Sequence, residues 1–453
     1  MLMCAAAAFV TASWYRPAFG LAGVLGLTLL FEQYDFAVVH PITRAVPFFE
    51  NASKFTGIKG LELNPLEMLL VVLAAVVLAR ITSKHRQLRG NPLAAPVVAF
   101  MIALALWLLY GLVSGGGLTV ALWELRGFAY FGLLVLLVPQ IIDSERDIKG
   151  LLWVAIIVIF VKACQGLWNA FVALGGDLSG VRSITGHEDA LFIACMGVFL
   201  IALLAYRAAL AQRVVLVLAS PFMAATFVLT DRRAAFVAFA LGLVVLSAFL
   251  AVDKDKRMLV VKFGVPVAVV FALVVVAGWN SDGILGVPAQ TIKSITAPQS
   301  KEDADSSYYR RAEEVNLVHA VESSPIIGLG FGRPFQQAGQ GGIVDIGFTL
   351  ENVIPHNEIV WVWAKMGTVG FALFWAMFGG IIAWGGLTFR LAETPYAKAV
   401  ALLVTCAVMM QLIVSYVDLQ LTYARNMVFL GVLVGALAWL AGNTEGELAD
   451  DGR

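Results

Sequence analysis

The sequence predicts an all-α polytopic membrane protein of about twelve transmembrane helices, with one long loop on the outer side. Three observations carry that expectation. The chain is 60% hydrophobic and 14% charged, whereas soluble domains carry about 25% charged residues. Its mean hydropathy is +0.85. Apolar runs near 20 residues recur from end to end, each long enough to cross a bilayer.

The elements follow in order. Residues 1–13 are apolar but short, and a signal-like stretch, an interfacial segment and half of a hairpin all remain open. Trp14, Tyr15 and Arg16 then form an interface-like cluster. Spans are expected near 17–33, 64–80, 92–113, 121–142, 149–175, 189–206, 213–230, 234–252 and 259–279, so residues 1–279 hold the first nine or so. Residues 280–355 form the outer loop, and 356–388, 397–417 and 424–442 complete the set within 356–443. The acidic tail, 444–453, reads as a solvated cytoplasmic end. One set of short loops and flanks carries fifteen Lys and Arg and the opposite set seven. By the positive-inside bias both termini lie in the cytoplasm and the 280–355 loop lies outside.

Several classes are disfavoured. A formal net charge of zero gives no sign of a nucleic-acid partner. No P-loop, Rossmann fingerprint or HExxH is present, which argues against ATP-driven transport by this chain alone. Cys4, Cys164, Cys195 and Cys406 are scattered through apolar runs without CxxC spacing and read as packing residues. No cofactor and no metal site is expected.

The outer loop carries the richest pattern. Its first part, through Asp303-Ala304-Asp305-Ser306-Ser307, reads as irregular. A surface helix is expected near 306–324, capped by Ser306 or Ser307, with Ala312, Val315, Val318, Ala320 and Val321 as a partial apolar face and Ser323-Ser324-Pro325 as its stop. Gly328, Gly330 and Gly332 permit a tight turn and close backbone approach. As a nucleotide signature this GxGxG is weak, and a flexible turn is the plainer reading.

Candidate chemistry gathers at the outer boundary. His356 follows Pro355 at the start of a long apolar run, with Asn357 and Glu358 after it. An imidazole can move a proton near neutral pH, although the spacing does not put His356 and Glu358 on one helical face. Arg310 and Arg311 lie upstream, and Arg232 and Arg233 join two spans almost without a loop. Guanidinium forks suit phosphate oxygens; snorkelling arginines are the bland alternative. Glu124, Arg126, Lys162 and Lys365 fall within apolar runs. Such charges are costly and face the bundle interior; they are either structural ion pairs or an ion path, the latter keeping a transporter of bicarbonate or another small solute as the alternative. Asp418, Gln420, Tyr423 and Arg425 form a last outer cluster, suited to sugar hydroxyls or to ordinary loop polarity.

Three of these segments resemble the O-antigen ligase and O-antigen polymerase superfamily of bacterial inner-membrane proteins. Thr230-Asp231-Arg232-Arg233-Ala234-Ala235 is similar to that family's Thr-x-Ser-Arg-Gly-Ala, departing at Arg232 and Ala234 and matching at Arg233. Residues 310–332 resemble its arginine, helix, proline and Gly-x-Gly-x-Gly, with Arg310 the better match by spacing and Arg311 the other. His356-Asn357-Glu358 and Gly367-Thr-Val-Gly370 resemble its His-Asn and Gly-x-x-Gly. The resemblance implies a metal-independent glycosyltransferase of ligase or polymerase type in the bacterial inner membrane. Such an enzyme moves a glycan from an undecaprenyl-pyrophosphate carrier to an acceptor hydroxyl, on a lipid or a growing polysaccharide, with the active site facing the periplasm or exterior. It further implies His356, Arg233 and Arg310 as catalytic and Arg311, Asn357 and Glu358 as substrate-binding; Arg232, Arg126 and Lys365 are added as substrate-binding candidates by their charge and position alone. Its partners would be the lipid-linked donor, the acceptor and membrane lipids.

Overall fold

The computed structural model describes residues 2–34, 41–57, 62–83, 87–178, 181, 183–230, 232–281, 286, 289–290, 292–293, 301–339, 350 and 352–451. Among them every long element is helical. The chain runs through α1 (Leu2–Tyr15), α2 (Pro17–Leu30), α3 (Pro65–Thr82), α4 (Ala94–Val113), α5 (Leu118–Ile141), α6 (Glu145–Trp168), α7 (Asp189–Ala205), α8 (Leu210–Leu229), α9 (Arg233–Val252), α10 (Val265–Ala277), α11 (Lys301–Ser323), α12 (Glu358–Leu391), α13 (Pro395–Ser415) and α14 (Ala424–Asp451).

Nine helices among the described residues are long and apolar enough to cross a membrane. The chain is a multi-pass membrane protein. Twelve spans were expected, and the difference lies in three elements. α2, at 14 residues, and α7, at 17, are apolar but short. α10 is 13 residues long and is entered through a π turn at Val260–Gly264. Of residues 1–13, 2–13 belong to α1, which packs on α2 and α3.

The core sits around α14. Its apolar part, Ala424–Asn443, is buried along its length, as a helix apolar on every side must be. Its principal partner is α5. Gly431 and Gly435 let the two backbones approach: a Cβ on Gly431 would stand 3.2 Å from Phe131 Cα, and one on Gly435 2.5 Å from Val138 Cβ. Small residues four apart serve this purpose where lipid supplies no hydrophobic drive between helices. α13 and α12 pack on the same core.

The GxGxG segment is a packed strap, not a flexible turn. α12 runs from 358 to 391 but breaks at Gly367 (φ 60°, ψ −173°). The carbonyls of Ala364 and Lys365 accept from Leu329 and Gly330 N–H, both at 2.9 Å. The freed N–H groups of Thr368 and Val369 donate to Pro325 and Ile326 carbonyls, at 2.8 and 3.4 Å. The strap therefore supplies partners to four backbone groups that the kink deprives of helical bonds. Gly330, at φ +80°, lies so close to α4 that a Cβ would stand 2.6 Å from Gly111 Cα.

α11 also corrects the sequence reading. It begins at Lys301, so Ser306 and Ser307 are inside the helix instead of capping it, and residues 303–307 are helical. Its buried stripe is Ala312, Glu313, Asn316, Leu317, Ala320 and Val321; Val315 and Val318 face outward. This stripe packs α11 on α12. Of the remaining outer loop, 294–300 and 340–349 lie outside the described residues.

Candidate active site

His356 sits between Pro355 and the first turn of α12, where Asn357 caps the helix by accepting from Val360 N–H at 3.1 Å. Its ring faces α11. Nδ1 lies 2.8 Å from Glu313 Oε2, and the same oxygen accepts the His356 backbone N–H at 3.2 Å. The Glu313 side chain is 2% exposed and that of His356 27%. Tyr309, one turn earlier on α11, meets the imidazole edge-on at 5.4 Å. Arg310 and Arg311 follow on the exposed side of the same helix.

A second group of residues stands nearby. Asp418, in the turn between α13 and α14, is 3.7 Å from His187 Nδ1. Burial would push the Asp418 carboxyl up, but the His187 contact and the charges of Arg232 and His356 outweigh it and hold it at about 2. Arg232, immediately before α9, is pulled down by burial and pushed up by Asp418, Tyr423 and Glu188; the charge of Arg310 reaches it too. Arg233, the first residue of α9, is half-buried beside it. Tyr423 packs against Tyr34 at 5.0 Å and His187 at 6.5 Å. Burial pushes both phenols well up, so both stay neutral hydrogen-bonding groups at neutral pH.

The site therefore draws on six segments: the residues after α2, α11, the start of α12, the start of α9, the turn 416–423 and the loop before α7. Asp418 lies within the reach of the Arg232 and His356 charges, and Arg232 within that of Arg310. Glu313, His187 and Tyr34 are the residues that the sequence reading missed. Glu313 lies 43 positions from His356, so no local spacing links them.

Four expected substrate residues are committed elsewhere. The Glu358 carboxylate is fully buried and accepts the backbone N–H groups of Gln420, Leu421 and Thr422 and the Thr422 hydroxyl, the last at 2.6 Å. It ties the Asp418 turn to the base of α12. Asn357 is a helix cap. Lys365 pairs with Glu124 at 2.5 Å, both with no exposure, and also donates to the Arg333 carbonyl. Glu124 accepts Gly332 N–H at 2.5 Å, so this pair locks the strap to α5. Arg126 pairs with Glu67 at 3.0 Å and donates to the Glu62 carbonyl at 2.6 Å.

The intramembrane charges that motivated a transport reading are likewise paired. Lys162 contacts Glu32 and lies 3.9 Å from Asp189, and Arg425 donates to Asp189 at 2.6 Å. Arg425 and Gln420 thus belong to the packing of α14 and its preceding turn, not to an open sugar site: Gln420 accepts from Asn426. Among the described residues no three His, Cys, Asp or Glu side chains stand at metal-binding distances.

Residues 216–375 match the O-antigen ligase family. The match covers 160 of the 453 residues. The match spans α8 through the first half of α12 and includes Arg232, Arg233, Arg310, Arg311, Glu313 and His356. It supports the superfamily resemblance read from the motifs and a glycosyltransferase activity of ligase or polymerase type in general. His187, Asp418, Tyr423 and Tyr34 lie outside it. No curated protein matches the chain.

Proposed function

We propose that this protein moves a glycan from an undecaprenyl-pyrophosphate carrier to an acceptor hydroxyl at the outer face of the bacterial inner membrane. The observation that carries the reading is the pairing of His356 with Glu313, on the helix that also bears Arg310, with Asp418 in reach of the His356 and Arg232 charges.

In the proposed reaction the acceptor hydroxyl oxygen attacks the anomeric carbon of the donor. The carbon–oxygen bond to the pyrophosphate breaks, and the lipid pyrophosphate leaves with the bonding pair. The hydroxyl proton passes to His356 Nε2, a transfer that positioned bases typically accelerate about 10²–10⁴-fold. Arg232, Arg233 and Arg310, with Arg311 on the same helix, offset the charge growing on the pyrophosphate through fork-like donors. On the other side, the Tyr34–Tyr423 pair offers an aromatic face and Asp418 with His187 offers hydroxyl partners, an inventory suited to a sugar ring.

Purified full-length protein given an undecaprenyl-pyrophosphate-linked glycan and a lipid or glycan acceptor tests the reading. Wild-type protein should transfer, and His356→Ala should fold normally and transfer at least about a hundredfold more slowly. Near-wild-type transfer by the alanine variant would remove His356 from the chemistry.

A further inference from the structure

We propose that Glu313 is a positioning residue that holds the His356 imidazole in its Nδ1–H tautomer and leaves Nε2 bare toward the site. The assignment rests on geometry. A carboxylate only accepts, so the nitrogen 2.8 Å from Glu313 Oε2 must carry hydrogen. The other ring nitrogen is then the one able to take a proton. The same oxygen also holds the His356 backbone N–H at 3.2 Å, which fixes the ring's root as well as its tip.

The surroundings fit positioning better than incidental polarity. Glu313 occupies the buried stripe of α11 among Ala312, Leu317 and Ala320, where an apolar residue would pack without loss of solvation. A buried carboxylate is costly unless it is bonded. Tyr309, on the same helix, packs edge-on against the ring at 5.4 Å. Of the other charged groups at this end, Asp418 acts on His356 from the 416–423 turn, Arg232 acts on Asp418, and Arg310 acts on Arg232. Glu358, on the ring's own helix, is spent on the backbone of 420–422. Glu313 is thus the group whose loss should change the ring's tautomer.

The kinetic half of the test rests on the transferase reading above, and the spectroscopic half does not. The chain has five histidines, so the ¹⁵N signals of His356 in full-length labelled protein can be assigned by their loss in His356→Gln. In wild-type protein the neutral ring should show a protonated Nδ1 and a bare Nε2. Glu313→Leu, which keeps the stripe apolar, should revert the ring to the Nε2–H form that free neutral histidine favours. It should also lose most of the roughly 10²–10⁴-fold that a positioned base supplies.

Glu313→Gln keeps the shape, and its amide oxygen can still accept from Nδ1–H. Its ring should stay Nδ1–H, and it should keep much of the transfer that the leucine variant loses. A merely structural Glu313 would leave the tautomer the same in all three proteins. A wild-type Nε2–H ring, or an Nδ1–H ring in Glu313→Leu, would overturn the proposal; if the leucine variant fails to fold, an Nε2–H ring in Glu313→Gln overturns it instead. Should wild-type protein transfer nothing from the undecaprenyl-pyrophosphate-linked donor while its ring is Nδ1–H, the transferase reading fails and the pairing survives.

Discussion

His356–Glu313 and Lys365–Glu124 are both close pairs of a basic and an acidic side chain, and both tie α12 to a segment far away in sequence. They differ in what is left over. Lys365 and Glu124 have no exposure, and their remaining valences go to the Arg333 carbonyl and the Gly332 N–H. His356 keeps 27% of its side chain open, and its second ring nitrogen is not engaged by Glu313. A pair that uses up its hydrogen-bonding capacity holds the fold; a pair that keeps one group in reserve is available for chemistry. In the sequence the two look alike, as charged residues at or within the same apolar run.

The comparison predicts opposite phenotypes. His356→Ala should cost about 10²–10⁴-fold in transfer and lower the melting temperature less than Lys365→Ala does, because Glu313 loses the ring but keeps the backbone N–H of residue 356, beside a side chain that was already partly open. Lys365→Ala should do the reverse in origin: it strands Glu124 at zero exposure, and breaking a buried pair costs about 3–5 kcal/mol. Detergent-solubilised yield and melting temperature read this directly. If Lys365→Ala melts like wild type but fails to transfer, Lys365 belongs to the site after all. The double replacement Lys365→Met with Glu124→Leu should recover much of the stability, since swapping a buried pair for apolar residues is often neutral.

A middle-sized effect is expected at the strap. Gly330→Ala places a methyl against Gly111 backbone and demands φ +80° of a residue with a Cβ. The result should be a loss of stability of about 1–3 kcal/mol, with a smaller loss of transfer because α12 still begins at the same place. An equal melting temperature would mean that the strap can move away from α4, contrary to its paired backbone.

Much of this was legible in the chain. The positions of the long helices follow from apolar runs, because a bilayer demands length and hydropathy that no other setting does. His356, Arg232 and Arg310 were legible as charged residues at boundaries. The roles of Glu358, Lys365 and Arg126 were not, because a carboxylate that cradles three backbone N–H groups 62 to 64 residues away leaves no periodic trace. Glu313 was visible only as one of two glutamates in the first part of a surface helix. Its burial depends on the stripe 312, 313, 316, 317, 320, 321, and the alternative face through Val315 and Val318 looked more apolar. The short α2 and α7 were read as spans from composition, which does not record where a helix ends.

The smallest effect concerns Asp418, and it sharpens the comparison from the acid side. Asp418 is buried yet held at about 2 by His187, Arg232 and His356, below its ordinary 3.8. A depressed carboxyl stabilises the fold above its unfolded value and loses that contribution as pH falls through the folded one. Its share should therefore be constant from neutral pH down to about 4 and fade between there and about 2. Between pH 5 and 8 Asp418→Asn should shift the melting temperature by a constant amount, whereas its effect on transfer should persist because a neutral amide no longer offers two anionic oxygens to Arg232 and to hydroxyl donors. A stability difference between wild type and Asp418→Asn that changes across pH 5–8 would show that Asp418 or one of the histidine charges that hold it changes in that range. The turn would then be a responsive element, not a fixed wall facing His356.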